Sequence, residues 1–230
     1  MDKLKDGDFI KISYTGTTAT GKVFDTTSAE KAKEAGLPEE GRKYAPVLVV
    51  LGKGHVVKGL DESLKNMSID EQKSVELSPE NAFGVRDPNL VRILPLAEFK
   101  KRDLEPFPGM ILDLDGAKGI VKSVSGGRVM VDLNHILAGE KITYNVKIEE
   151  KLMETNPKIQ AILDSFNLTT QNFKLEGGIL QVVFPPEVKK DVDFIVSKSN
   201  FVNSVLDLMP DIKKLSIVEE YTLGQGEHKA

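Results

Sequence analysis

The sequence predicts an α+β fold: an antiparallel β-sheet around a short helix, a small β-rich insertion and a C-terminal α+β unit. Segments of strand length in which apolar and polar residues alternate recur along the first 150 residues, with a single short amphipathic helix among them. After Asn156-Pro157 the pattern changes to longer helices. The chain has 230 residues with 40% hydrophobic and 29% charged, which is ordinary globular composition.

The first strand is predicted at residues 8–14, where apolar and polar side chains alternate. The stretch 15–21 carries Thr and Gly at positions typical of a turn, and extended structure resumes at 22–25. Residues 28–45 lack a core pattern and are predicted to be a surface excursion, with one helical turn over Ala29–Ala35.

A buried strand is predicted at Val47–Leu51, because its residues are aliphatic and Pro46 and Gly52 flank it. A short helix over 59–67 and strands at 73–77 and 143–148 complete the predicted sheet and its helix. The apolar face of that helix is formed by Leu60, Leu64 and Met67.

Residues 86–133 are predicted to form a small inserted unit. They contain four prolines and three strand patterns, at Ile111–Leu114, Gly119–Val124 and Val129–Leu133, and Gly126-Gly127 suits a hairpin turn. The insertion is dense in apolar residues: Leu90, Val91, Ile93, Leu94, Leu96, Phe99, Phe107 and Met110. Some must form its own core, and the surplus would make a groove for extended peptides. The alternative is that the whole set packs internally.

The C-terminal unit is predicted from a helix at 158–166, a strand at 179–184, a helix at 192–208 and a strand at 214–219. The long helix is rich in apolar residues, which indicates either a core element or a subunit interface. We expect a homodimer formed through this unit.

Composition excludes several classes of function. The net charge is −4, with no block of like charge, so nucleic acid is not an expected partner. Without cysteine there is no disulfide or thiolate site, and His55, His135 and His228 are scattered, so we expect no metal and no cofactor. The longest aliphatic run is far shorter than the roughly 20 residues that span a bilayer. We expect a cytoplasmic protein that does not contact membranes.

Aromatic or aliphatic residues beside turns recur in a fixed order along the chain. The segments are Tyr14-Thr15-Gly16, Val23-Phe24-Asp25, Val56-Val57-Lys58-Gly59-Leu60-Asp61, Ala82-Phe83-Gly84 and Tyr144. This ordered series resembles the FKBP family of peptidyl-prolyl cis/trans isomerases over residues 7–84 and 134–152. The insertion resembles the insert-in-flap unit of SlyD-type members, and the C-terminal unit is similar to that of long archaeal members.

The resemblance implies a division into an isomerase domain of residues 1–85 plus 134–153, a chaperone flap of 86–133 and a C-terminal domain of 154–230. It also implies the residues that line a prolyl pocket: Tyr14, Phe24, Asp25, Val56, Val57, Leu60, Phe83 and Tyr144. Leu60 stands where many members have tryptophan, as in SlyD-type members, and Phe83 replaces the usual tyrosine and its hydroxyl. Taken singly, each aromatic residue would be read as ordinary core packing.

The expected function is isomerisation of prolyl bonds in unfolded or proline-containing polypeptides, together with chaperone binding of those chains. An apolar pocket would withdraw the imide from water, and Asp25, buried and bonded by the Tyr14 hydroxyl, would act electrostatically. Two alternatives remain open. The departures at Leu60 and Phe83 suit a binding-only chaperone with an inactive pocket, and the apolar C-terminal helix suits a dimeric scaffold.

Overall fold

The computed structural model describes residues 3–39, 42–114, 116–185 and 192–219. Its architecture is α+β, as predicted, with one sheet in the main unit, one in the insertion and one in the C-terminal region. His228 lies outside the described residues.

The main sheet is antiparallel and runs in the order β2-β1-β9-β4, with β3 paired to the same edge of β1 as β2. Its strands are β1 (Phe9–Thr18), β2 (Val23–Thr26), β3 (Val47–Val50), β4 (Gln72–Leu77) and β9 (Ile142–Leu152). The long central pair β1 and β9 carries most of the sheet, so the residues of the candidate site sit on a continuous ladder.

The first strand is longer than predicted, and the expectation of a turn at Thr15-Gly16 is wrong. Thr15 pairs with Asn145 and Gly16 with Tyr144, so both belong to β1. The turn comes later, at Gly21, whose φ of +80° is the left-handed conformation that glycine tolerates. The expectation of a buried strand at Val47–Leu51 is corrected at its start, because Val47 is 37% exposed at the first position of β3.

Helix α1 (Ala29–Glu34) lies in the predicted excursion, and α2 (Lys58–Leu64) packs against the main sheet. The predicted apolar face of α2 is buried, with Leu60 at 1% and Leu64 at 0% exposure, although the helix ends three residues earlier than expected. Ile10, Ile12, Val146 and Ile148 form the opposing side of this core.

The inserted unit forms its own antiparallel sheet in the order β5-β8-β7-β6, with helix α3 beside it. Its elements are β5 (Val91–Pro95), α3 (Leu96–Lys100), β6 (Ile111–Leu114), β7 (Ala117–Ser125) and β8 (Arg128–Asp132). The predicted Gly126-Gly127 turn is present, and both glycines have positive φ. Strand β5 and helix α3 were not predicted, because Pro95, the last residue of β5, interrupts the periodic pattern where the strand passes into the helix.

The C-terminal region contains α4 (Thr155–Ser165), β10 (Asn172–Glu176), β11 (Ile179–Phe184), α5 (Val192–Leu208) and β12 (Lys214–Glu219). β11 pairs antiparallel to β10 and parallel to β12. The boundary expected at Asn156-Pro157 is displaced, because Pro157 sits in the first turn of α4, where its missing N–H costs nothing.

The C-terminal core continues into the back of the main sheet. Phe9, Val50 and Leu152 belong to the same buried cluster as α4, β11 and α5. Among the described residues, no helix is long and apolar enough to cross a membrane.

Candidate active site

An open hollow of about 400 Å³ lies between the main sheet, the N-terminus of α2 and the segment that follows β4. Its walls are Tyr14, Asp25, Gly54, His55, Val56, Val57, Leu60, Phe83 and Tyr144. The predicted pocket residues are therefore brought together, except that Phe24 lies behind the lining instead of on it.

Aromatic rings form one continuous group around this hollow. The Phe24 ring meets Phe83 and Tyr144 edge-on, with centroids 5.7 and 5.8 Å away, and Tyr14 meets Tyr144 in the same manner at 5.8 Å. Edge-to-face packing of this kind holds each ring at a defined angle. Phe24 thus positions the two lining rings that it touches.

The close approach of Phe24 to the sheet depends on Gly16. A Cβ built on Gly16 would lie 2.6 Å from the ring of Phe24 and 3.0 Å from that of Tyr144. Any larger side chain would displace these two rings, so glycine at this position on β1 allows the hollow to form.

The polar corner of the hollow is built on Asp25. The Tyr14 hydroxyl donates a hydrogen bond of 2.5 Å to Oδ2 of Asp25, which is the bond expected from the sequence, and Arg42 pairs with Oδ1. The Asp25 side chain keeps 28% of its exposure, so the expectation that it would be buried is wrong. Arg42 was not predicted, because it lies in a loop without any pattern that points to a site.

The surroundings of both tyrosines favour the neutral phenol. Burial, reinforced by the hydrogen bond to the Asp25 carboxylate, raises the pKa of Tyr14 well above its usual value. Burial, together with the charge of Asp25, raises the pKa of Tyr144 to about 12. Neither phenol is therefore suited to proton transfer near neutral pH, which leaves positioning and electrostatics as their possible roles.

The loop between β3 and α2 closes the other side. Its backbone is fixed at Gly52, whose N–H donates to Oδ1 of Asp61 at 2.9 Å, and at His55, whose Nδ1 accepts from the Val50 N–H at 3.2 Å. Leu60 is almost fully buried beneath the hollow, so it forms a floor of aliphatic carbon.

Two histidines lie at the site, and the sequence patterns indicated neither of them. His55 lines the hollow, and His135 stacks on Phe83 with centroids 4.6 Å apart and planes 4° apart. These residues are 80 positions apart in the chain, and only the tertiary fold brings both of them to the site.

The predicted flap residues divide between core and surface. Leu90, Ile93 and Phe107 are exposed, whereas Phe99 is buried at 5%. The half-buried members are Val91, Leu94, Leu96 and Met110, of which the last three pack on the flap core. Ile111 and Met130 are also exposed and were not predicted.

The chain is similar to known peptidyl-prolyl cis-trans isomerases. The sequence profile of the FKBP-type peptidyl-prolyl cis-trans isomerases matches residues 1–100, and a profile described as FKBP26, IF domain matches residues 92–137. A short-type peptidyl-prolyl cis-trans isomerase of Methanocaldococcus jannaschii is 33% identical over 150 residues, which cover 65% of this chain and 95% of that protein.

The chain belongs to the FKBP-type peptidyl-prolyl cis-trans isomerase family. Two further members are similar to it. The FKBP-type 16 kDa isomerase of Escherichia coli K12 is 29% identical over 62% of this chain and 90% of its own length. SlyD of Aeromonas hydrophila is 30% identical over 61% of each chain.

Membership in the FKBP family confirms the predicted enzyme class, a peptidyl-prolyl cis/trans isomerase. The FKBP-type isomerase profile ends at residue 100 and the IF-domain profile at residue 137, and the alignment with the M. jannaschii isomerase leaves about a third of this chain uncovered. The two profiles therefore do not reach the C-terminal region.

Proposed function

We propose that the hollow isomerises X-Pro bonds by withdrawing the imide from water and easing its rotation. The planar amide owes its barrier of roughly 18–20 kcal/mol to resonance, which places negative charge on oxygen. Water stabilises that charge, and a twisted amide carries less of it. An apolar cup therefore destabilises the planar form relative to the twisted one. The observation that supports this most directly is the ring group of Tyr14, Phe24, Phe83 and Tyr144 around the hollow.

Asp25 supplies a fixed charge at the edge of the cup. Tyr14 and Arg42 hold its carboxylate in place, so it faces the twisting bond without reorganising during the reaction. The opposite wall is formed by Phe83, which has no hydroxyl to offer the substrate. The ring stacked against Phe83 there is His135. Catalysis here requires neither a nucleophile nor a proton-transfer base.

The proposal predicts that Asp25→Asn and Phe24→Ala each lower kcat/KM on a proline tetrapeptide by about tenfold or more, because fixed electrostatics and ring positions are lost. The matched control is Asp164→Asn, an exposed aspartate on α4 remote from the hollow. Tetrapeptide turnover that stays at the level of the control, in variants with unchanged far-ultraviolet circular dichroism, would rule out this site.

A binding-only chaperone is the second candidate, favoured by Leu60 and Phe83 at positions where other members carry tryptophan and tyrosine. The two candidates differ in stoichiometry. An enzyme accelerates proline-limited refolding when present at a small fraction of the substrate concentration, whereas a holdase acts only near equal concentrations. Acceleration that disappears below equimolar protein would favour the binding-only candidate.

We further propose that the inserted unit binds unfolded polypeptide through one face of its sheet. Ile93 and Met130 lie directly opposite each other on neighbouring strands, and cross-strand partners share a face. With Ile111, at 67% exposure, they give that face an apolar surface that the flap core does not use. A chain held there has a raised effective concentration at the hollow.

The C-terminal helix supports a proposal of self-association. Val192, Ile195 and Leu206 on α5 are more than half exposed, and their spacing of three and eleven residues places them along one stripe of the helix. We assign this stripe to a second copy of the chain.

The full-length Ile195→Glu variant is expected to sediment as a monomer and the wild type as a dimer, with Asp193→Lys as the control for a change in charge alone. A monomeric wild type at micromolar concentration would contradict the assignment.

A further inference from the structure

The chain enters the flap through residues 84–91 and returns to the main sheet through residues 132–139. Backbone bonds join the two segments: the Gly139 N–H donates to the Gly84 carbonyl at 2.9 Å, and the Leu133 N–H donates to the Leu90 carbonyl at 2.9 Å. The segments therefore run side by side, and the angle between the flap and the hollow is set where they meet.

A buried carboxylate lies at this junction. The Asp132 side chain is only 4% exposed, its Oδ1 accepts from the backbone N–H of Asn134 at 3.0 Å and from Nδ2 of Asn134 at 2.8 Å, and its Oδ2 pairs with Arg86. A charge in such a place requires both a counter-ion and hydrogen bonds. The two segments are thus joined by a network of directional polar bonds, and not by apolar contact alone.

Asn134 extends the network to the other segment. Its Oδ1 accepts from the Asp87 N–H at 2.8 Å, and its Nδ2 donates to the Asp87 carbonyl at 2.9 Å. The amide group therefore imitates the paired bonds between antiparallel strands. Arg86, Asp87, Asp132 and Asn134 are called the clasp below.

The clasp is continuous with the wall of the hollow. His135 follows Asn134 directly and stacks on Phe83, which lines the hollow. Phe83 in turn precedes Gly84 and Arg86 on the outgoing segment. The same short stretches of chain therefore orient the root of the flap and one wall of the prolyl site.

We propose that Arg86, Asp132 and Asn134 are positioning residues for the isomerisation of protein substrates. They hold the flap at one angle to the hollow, so that a polypeptide bound on the flap presents its prolines to the site. The proposal rests on the proposed client binding by the flap. Directional bonds to a buried charge fix an angle in a way that non-directional apolar contact does not, and a fixed angle raises the effective concentration of the bound chain at the hollow.

The test compares full-length Arg86→Gln and Asn134→Ala with the wild type on two substrates. In proline-limited refolding of an unfolded protein, kcat falls about tenfold while KM is retained, because the client still binds the flap but is presented poorly. Turnover of a proline tetrapeptide, which does not need the flap, stays within about twofold. Arg102→Gln makes the same substitution at an exposed flap arginine outside the clasp and leaves both activities unchanged.

A distance measurement provides the second readout. The chain has no cysteine, so single cysteines placed at the exposed positions Ser125 on the flap and Lys73 on the main sheet can carry spin labels. The distribution of distances is narrow in the wild type and broadens in both clasp variants. Asn134→Ala leaves the Asp132–Arg86 pair intact, so it keeps the test valid should Arg86→Gln unfold the flap.

Unchanged refolding kcat and unchanged distance widths in a folded clasp variant overturn the proposal. A parallel fall in tetrapeptide turnover also overturns it, because that result indicates general damage to the fold. A wild type that binds no denatured client overturns the proposed flap function instead, and the label distances then still decide whether the clasp fixes the flap.

Discussion

At the scale of single residues, the prolyl hollow depends on a glycine that contributes no atom to its lining. Gly16 lies on β1 directly opposite Tyr144, and the ring of Phe24 occupies the space that a side chain there would fill. The rings around the hollow can therefore take their positions only because residue 16 has no side chain. The constraint is steric, since the φ of Gly16 is not positive.

Gly16→Ala is expected to destabilise the fold by about 1–3 kcal/mol through overpacking and to lower tetrapeptide turnover, because Phe24 and Tyr144 must move. Gly119→Ala is the matched control: a Cβ there would lie 2.7 Å from Leu133 and Val131, in the flap. Both variants should lose stability in urea titrations, but only Gly16→Ala should lose turnover. Equal turnover in the two would mean that the Phe24 position does not matter for catalysis.

At the scale of elements, the flap is a sheet with two different faces. One face carries Val121, Val129 and Val131 into its own core, and the other exposes Ile93, Met130 and Ile111. The period of two along a strand sends alternate residues to opposite faces, so the same strands can fold the unit and present an apolar surface. The exposure of Leu90, Ile93 and Phe107 contradicts the alternative that the whole apolar set packs internally, and peptide binding by the exposed members stays a prediction.

The double variant Ile93→Ser/Met130→Ser is expected to weaken binding of a permanently unfolded protein by at least about tenfold, since each apolar side chain contributes roughly 1.5–3 kcal/mol when buried. Fluorescence anisotropy of a labelled client measures this, and tetrapeptide turnover should not change. Lys118→Ser, on an exposed position of β7, is the control. Client binding equal to that of the control would place the binding surface elsewhere on the flap.

At the scale of the whole molecule, the catalytic sheet and the C-terminal region share a core. The α2 side of the sheet encloses one cluster, and the opposite side contributes Phe9, Val50 and Leu152 to the cluster of α4, β11 and α5. Lys53, in the loop beside the hollow, also forms an ion pair of 2.9 Å with Asp207 at the end of α5. Removing the C-terminal region would therefore expose apolar surface of the catalytic sheet.

Phe9→Ala is expected to lower the free energy of unfolding by about 3–5 kcal/mol, because a buried phenylalanine is replaced by a cavity. The loss should appear in one cooperative transition in urea, reported equally by catalytic and C-terminal probes. Phe107→Ala, at a phenylalanine that is 61% exposed, should change stability little. Two separate transitions in the wild type would contradict a shared core.

The sequence alone determined the fold class and most strands of the main sheet, and its resemblance to the FKBP family indicated seven of the nine residues that line the hollow. The alternation in the strands and the apolar face formed by Leu60, Leu64 and Met67 are patterns among neighbouring residues, so the sequence by itself reveals them. The order of aromatic residues beside turns was informative for the same reason. The prediction ended β1 too early because Thr15-Gly16 has turn chemistry, and pairing with Asn145 and Tyr144 overrode that local preference.

Only the tertiary structure decided how distant segments meet. Arg42 reaches Asp25, His135 stacks on Phe83, and Asn134 bonds to Asp87, and none of these contacts follows from spacing along the chain. Hydrogen bonds and ring contacts act over a few ångströms of space, whereas sequence periodicity records which way a side chain points on its own element. Most residues of the hollow and the bond between Tyr14 and Asp25 were therefore predictable, but Arg42 at its polar corner and the clasp that orients the flap were not.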